Sequence, residues 1–159
     1  MKAAVLTVSD GVAAGTRADE SGELLAALLA ADGYEVERRT VADDSEEIAR
    51  ALTALAAEVS LVLTTGGTGV AARDVTPEAT ASVVEKLAPG IAEAIRADAI
   101  AKTPHGLLSR GIAGVCGTAL VVNLPGSTGG CRDGYAVLRP ALQHALLLLS
   151  GKTTAHVQT

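Results

Sequence analysis

Short apolar runs alternate with amphipathic helical segments along the chain, and this order restricts the fold more than any other feature of the sequence. Three runs, Lys2–Val8, Tyr34–Val41 and Ser60–Thr65, have the length and patterning of strands. The spacing of leucines and isoleucines predicts helices over about Glu20–Ala31 and from an N-cap at Asp44 to about Ala57. Strands that alternate with such helices predict a mainly parallel sheet.

Two further helices are predicted in the middle of the chain. Thr76 is a suitable N-cap, because the following Pro77 then occupies the first helical position, where its missing N–H costs no hydrogen bond. This helix is expected to end before Pro89, and the next one is expected to run to about Ala101.

The last third of the chain predicts a hairpin followed by a long helix. Ile112–Cys116 and Ala119–Asn123 flank a Gly-Thr pair, which is typical of an antiparallel hairpin turn. Leu124–Gly130 is expected to be a loop, and a helix is expected over about Arg132–Ser150. The complete order of elements predicts an α/β fold, a three-layer α/β/α sandwich with a mainly parallel central sheet and a β-hairpin.

Composition and charge narrow the class of protein. We expect one domain over residues 1–152 and a C-terminal tail over 153–159. Apolar residues make up 48% of the chain and charged residues 19%, which excludes a disordered protein. The formal net charge of −5 and the aromatic content of 1% argue against nucleic acid as a partner.

Three features of the sequence bear on the cellular compartment of the protein. The apolar run after Met1 and Lys2 is shorter than the core of a signal peptide, and no cleavage pattern follows it. No window holds about 18 continuous apolar residues, so no membrane association is expected. Cys116 and Cys131 form no C-x-x-C pair and are expected to be free thiols, which favours a cytoplasmic protein.

Three loops rich in Gly, Ser and Thr follow predicted strands. They cover Thr7–Gly11, Thr64–Asp74 and Leu124–Gly130. Ligands of open α/β sheets bind outside the carboxyl ends of the strands. Loops with small side chains offer backbone N–H groups there, and such groups bind anions. The three loops therefore predict a site for a phosphorylated ligand.

Two glycine motifs resemble nucleotide fingerprints but lack their context. Gly67–Ala72 fits the dinucleotide pattern after a strand, yet Arg73–Val75 separate it from the predicted helix start. Gly151–Thr153 ends like a P-loop, but Leu146 occupies the position of the leading glycine. Neither motif predicts a nucleotide site by itself.

Two carboxylates at the same edge of the predicted sheet are candidates for catalysis. Asp43 follows the second strand, and Asp74 lies two residues before the predicted cap at Thr76. An acid near a helix start can simply stabilise the helix dipole, by about 0.3–1 kcal/mol. Beside a phosphate site, however, paired acids are typical ligands of Mg²⁺. Nearby positive charge could come from Arg73, Arg110 and Arg132.

The loop motifs resemble those of a known family. Thr64-Thr-Gly-Gly-Thr-Gly69, followed by Arg73-Asp-Val-Thr-Pro-Glu-Ala-Thr80, is similar to the signature of the molybdenum cofactor biosynthesis family MogA/MoaB. The resemblance continues at Val8-Ser9-Asp10, at Asp19-Glu-Ser-Gly22, at Leu108-Ser-Arg110 and at Asn123-Leu-Pro-Gly-Ser127. It covers essentially the whole chain.

The resemblance implies a homotrimeric molybdopterin-binding protein. In one branch of the family it implies Mg·ATP-dependent adenylylation of molybdopterin, with pyrophosphate released and the product handed to a molybdenum-insertion protein. Paralogues with the same loops bind the pterin without adenylylating it. The implied catalytic and Mg²⁺-binding acids are Asp43 and Asp74, although Asp44 remains an alternative to Asp43. The implied ligand-binding residues are Ser9, Asp10, Gly66, Gly67, Thr68, Gly69, Ser109, Pro125, Gly126 and Ser127.

Overall fold

The computed structural model describes residues 1–151 and contains a six-stranded sheet. The strands are β1 (Lys2–Val8), β2 (Glu35–Val41), β3 (Leu61–Thr65), β4 (Lys86–Leu87), β5 (Ala113–Cys116) and β6 (Ala119–Leu124). Their spatial order is β2-β1-β3-β6-β5-β4. The first four strands of this order are parallel, whereas β5 and β4 are antiparallel to their neighbours. The predicted mainly parallel sheet and the hairpin are confirmed.

Helices cover both faces of this sheet. They are α1 (Asp10–Ala13), α2 (Glu20–Ala31), α3 (Ser45–Ala56), α4 (Thr76–Ala81), α5 (Pro89–Lys102) and α6 (Thr128–Leu149), with a 3-10 turn over Pro104–Leu108. Alternate residues of β1 enter two separate cores, since successive side chains of a strand point to opposite faces. Ala3 and Val5 pack with α2 and α6, whereas Ala4 and Leu6 pack with α3. In residues 1–151 no helix is both long and apolar enough to cross a membrane.

The prediction for the helix at Thr76 is wrong at both ends. The N-cap is Val75, and the Thr76 hydroxyl donates to the Gly66 carbonyl at 2.9 Å instead of capping. The helix ends at Ala81, because the chain leaves the helix to bring Lys86 and Leu87 into strand pairing with β5. The chain then turns into β4, which pairs with β5.

The last helix begins earlier than predicted. Ser127 is its N-cap, and the Ser127 hydroxyl accepts a hydrogen bond from the Gly130 N–H at 3.1 Å. The glycines of this first turn indicated a loop, but the cap and the packing of the helix outweigh their low helix propensity. The 3-10 turn and α1 were not predicted. The proposed tail over 153–159 and most of the Gly151–Thr153 segment lie outside the described residues.

Candidate functional site

The carboxyl ends of the parallel strands surround a cleft of about 510 Å³, which we call the main cleft. Loops that follow β1, β2, β3 and β6 meet there, because parallel strands end at the same edge of a sheet. Many of the residues implied by the family resemblance line this cleft together. They are Ser9, Asp43, Gly66, Gly67, Asp74, Gly126 and Ser127.

A second cleft of about 350 Å³ adjoins the main cleft and shares Ser127 with it. Ser109 and Pro125, two further expected ligand residues, line this adjoining cleft. Its walls include Ile95 of α5 and Gly134 of α6, and they expose more carbon than polar atoms. The site therefore has a polar compartment and a more apolar compartment side by side.

Asp10, Thr68 and Gly69 line neither cleft. Asp10 instead holds Asp43 in place by a reciprocal pair of hydrogen bonds. The Asp10 N–H donates to Asp43 Oδ2 at 2.8 Å, and the Asp43 N–H donates to Asp10 Oδ1 at 3.0 Å. Arg73 donates to both carboxylate oxygens of Asp10, and this hydrogen bonding keeps the pKa of the Asp10 carboxyl below its usual range.

Asp44 has the capping role that the sequence assigned to it. Its Oδ1 accepts a hydrogen bond from the Glu47 N–H at 2.9 Å and caps α3. Asp43, one residue earlier, lines the main cleft instead. Of the two acids, Asp43 and not Asp44 faces the main cleft.

The glycine loop after β3 depends on two backbone conformations that favour glycine. Gly66 has φ of +98° and Gly67 has φ of +65°. A Cβ at Gly66 would lie 2.3 Å from the carbonyl oxygen of Val8, so the loop crosses the end of β1 in close contact. Thr76 closes the base of the loop, since its N–H donates to Gly67 O at 3.1 Å and its hydroxyl to Gly66 O.

The three arginines that were expected to balance phosphate charge either pair with carboxylates of the protein or lie outside the clefts. Arg73 pairs with Asp10, as described above, and Arg110 pairs with Glu78. The Arg110 guanidinium keeps the pKa of the Glu78 carboxyl below its usual range. Arg132 is the fifth residue of α6 and is in neither set of lining residues.

Sequence reasoning missed several lining residues of the main cleft. Arg17 adds a positive charge to the main cleft. Asp19 and Ser21 line it as well, and they lie at the N-terminus of α2. Asp19 caps this helix and accepts from the Thr7 hydroxyl, the Gly22 N–H and Arg38. Asp19-Glu-Ser-Gly22 is among the motifs that resemble the family, and this was the signal available for Asp19 and Ser21.

Two helices thus direct their N-termini at the main cleft. Asp19 and Ser21 lie at the start of α2, and Ser127 and Thr128 lie at the start of α6. The N–H groups and dipole of a helix N-terminus favour negative charge. The cleft therefore combines anion-binding backbone groups with the acids Asp43 and Asp74.

The two acids fit a magnesium ion that arrives with phosphates. Within residues 1–151, Oδ1 of Asp43 and Oδ1 of Asp74 accept no hydrogen bond, whereas the second oxygen of each is held by a backbone N–H. The described residues contain no group of three or more His, Cys, Asp or Glu side chains that could hold a metal ion. Mg²⁺ commonly takes one or two carboxylates and completes its shell with water and phosphate oxygens. The donor set suits that arrangement and not a preformed cage.

The fold and the two clefts define a three-layer α/β domain with ligand-sized clefts at the carboxyl edge of its sheet. The model of the family described as "Probable molybdopterin binding domain" matches residues 4–144. A crystal structure of the molybdopterin biosynthesis enzyme MoaB from Thermus thermophilus superposes with a TM-score of 0.88 and 42% sequence identity, covering 95% of this chain and 97% of that one. The chain belongs to the molybdenum cofactor biosynthesis family MogA/MoaB.

Curated relatives agree with this assignment. A molybdopterin adenylyltransferase of Helicobacter pylori strain J99 is 36% identical over 152 residues, which cover 92% of this chain and 86% of that protein. A molybdenum cofactor biosynthesis bifunctional protein of Chlorobaculum tepidum is 38% identical over 152 residues, which cover 94% of this chain and 49% of that protein. The chain therefore spans about half the length of the bifunctional relative.

Proposed function

We propose that the protein transfers AMP from ATP to the terminal phosphate of molybdopterin and releases pyrophosphate. The observation that carries the proposal is the position of Asp43 and Asp74 in one cleft with the glycine loop and two helix N-termini. The name of the Helicobacter pylori relative supports this activity. In the reaction, a phosphate oxygen of the pterin attacks the α-phosphorus of ATP, and the bond from that phosphorus to the pyrophosphate oxygen breaks.

The two adjoining clefts suit the two substrates. The polar main cleft suits the triphosphate, because anions are favoured by helix N-termini and by Arg17. The adjoining cleft, with Ile95 and Pro125 in its walls, suits a flat pterin ring. Ser127 belongs to both clefts, so a terminal phosphate at this position would lie where the two substrates meet.

The protein's own contribution is alignment and charge stabilisation. Bringing a phosphate nucleophile and the α-phosphorus together removes the entropy cost of their encounter. Asp43 and Asp74 would hold Mg²⁺, which when bound neutralises the charge of the phosphate oxygens. The chain's residues then orient the two substrates, and no covalent intermediate with the protein is needed.

Pterin binding without transfer is the second candidate function. Ser109, Pro125 and Ser127 line the adjoining cleft, and neither Asp43 nor Asp74 does. Pterin binding would therefore not depend on the two acids. A carrier of this kind would keep the adjoining cleft and have no use for ATP.

One incubation separates the two candidates. Purified protein is mixed with molybdopterin, ATP and Mg²⁺, and adenylyl-molybdopterin and pyrophosphate are measured by chromatography. We expect both products in equal amounts. Pterin binding without products would favour the carrier, and the absence of both binding and products would contradict both candidates.

We also propose that the protein works as a homotrimer in the cytoplasm and passes its product to a molybdenum-insertion protein. Apolar side chains remain exposed on the single chain, and contacts between subunits would bury some of them. They include Val70, Leu87, Ile100, Leu107, Leu108 and Leu148. We expect sedimentation equilibrium at micromolar concentration to give three times the chain mass of 15.9 kDa. A mass equal to that of one chain would contradict the trimer.

A further inference from the structure

The loop that carries Asp74 has little packing of its own. Residues 70–73 between Gly69 and Asp74 are all exposed, and they belong to no helix or strand. The turn is held locally by the Asp74 carboxylate, which accepts from the Ala71 N–H at 2.9 Å, and by the Asp74 N–H, which donates to Ala71 O at 2.9 Å. Such a segment needs contacts from elsewhere in the chain to keep one geometry.

Two arginines make those contacts. Arg73 of the loop itself pairs with Asp10, and Arg110, which comes from the segment before β5, holds the two ends of the loop. The Arg110 backbone N–H donates to Thr68 O at 2.8 Å, and its Nε donates to Gly69 O at 2.7 Å. Its Nη2 donates to Asp74 O at 2.7 Å. Its Nη1 pairs with the carboxylate of Glu78, in the first turn of α4. One side chain therefore holds both ends of the exposed loop and the helix that follows it.

These contacts hold the backbone on both sides of the loop, and the Asp74 carboxylate is attached to that backbone through the Ala71 N–H. A Cβ placed on Gly69 would lie 2.9 Å from Asp74 Oδ2, so the two residues are in close approach across the loop. Because the peptide unit is planar, holding the carbonyls of Gly69 and Asp74 also fixes the direction of the following N–H groups. A shift of Arg110 would move the acid and these amides together.

We propose that Arg110 is a positioning residue, which holds the Asp74 loop in the geometry needed for AMP transfer; this inference rests on the proposed function. Arg110 adjoins Ser109 of the adjoining cleft, so it also ties the pterin side of the site to the acid on the nucleotide side. The role needs a guanidinium, which donates in several fixed directions at once. Lysine has a single ammonium on a flexible stem and cannot reproduce this fork.

The test compares Arg110→Lys with the wild type in two measurements. Hydrogen exchange of the protein without ligands reports on the loop, and we expect the amides of residues 69–76 to exchange about 10-fold faster, as for loss of a hydrogen bond from a charged donor. AMP transfer reports on the site, and we expect kcat to fall by about 10- to 100-fold, as for misplaced groups, with pterin binding unchanged. The Mg²⁺ concentration needed for half-maximal rate is expected to rise.

Arg139→Lys is the matched control. Arg139 also makes a forked contact with a carboxylate, through Nε and Nη2 to Asp32, but this pair lies at the opposite end of α2 from the main cleft. We expect this variant to keep wild-type kcat and wild-type exchange over residues 69–76.

The outcomes separate this inference from the proposed function. If the wild type transfers AMP but Arg110→Lys shows unchanged amide exchange or unchanged kcat, the positioning role of Arg110 is wrong. The proposed function is not affected by that result. A wild type that binds pterin but makes no product overturns the proposed function and this inference with it. Restoration of transfer in Arg110→Ala by added methylguanidinium would support the inference directly, because the fork is then supplied from solution.

Discussion

The Asp43→Asn and Asp74→Asn variants are each expected to lose AMP transfer by at least about 100-fold, the scale for loss of one preorganised electrostatic contact. The amide keeps the shape of the carboxylate and its oxygen can still accept from the Asp10 N–H or the Ala71 N–H. Only the negative charge that would hold Mg²⁺ is removed. The free energy of unfolding is therefore expected to change by no more than about 1 kcal/mol.

The matched control for these variants is Asp44→Asn. Asp44 caps α3, and asparagine caps helices about as well as aspartate, so this variant should remain active and stable. AMP transfer, pterin binding and thermal unfolding are measured on all three variants. Full activity in Asp43→Asn and Asp74→Asn would contradict the two-acid mechanism. An inactive Asp44→Asn would show that Asp44, and not Asp43, is the functional acid.

The Gly66→Ala variant is expected to lose about 3 kcal/mol or more of the free energy of unfolding. Positive φ costs a residue with a side chain about 1–3 kcal/mol, and here the added methyl would also lie 2.3 Å from the carbonyl oxygen of Val8. Relief of this contact would require the glycine loop to move away from the end of β1. Urea denaturation measures the loss.

Gly33→Ala separates the cost of positive φ from the cost of the collision with Val8. Gly33 has φ of +85°, but nothing lies within 4 Å of an added Cβ, so the variant introduces backbone strain without a collision. We expect a loss of about 1 kcal/mol for this variant. Equal losses in the two variants would show that the approach of the loop to β1 is not close.

Much of the fold was predictable because its signals are local. The bounds of α2 and the cap at Asp44 agree with the structure, since both follow from a few adjacent residues. The failures occur where a distant partner outweighs local preference. Residues after Ala81 leave the helix because Lys86 and Leu87 pair with β5, and Thr76 gives its hydroxyl to Gly66 instead of its own helix.

The sequence by itself determined the order of the longer strands and helices, the sheet edge at which the candidate site was expected and the family motifs in its loops. Only the tertiary structure decided what the charged side chains of those loops do. Asp10 and Arg73 are 63 residues apart and Arg110 and Asp74 are 36 residues apart, yet each pair is in contact. A charged side chain has the same appearance in a sequence whether it meets a ligand or another loop. The packing of the sheet brings these loops together, and it alone assigns Asp10 and Arg110 to protein partners while Asp43 and Asp74 line the cleft.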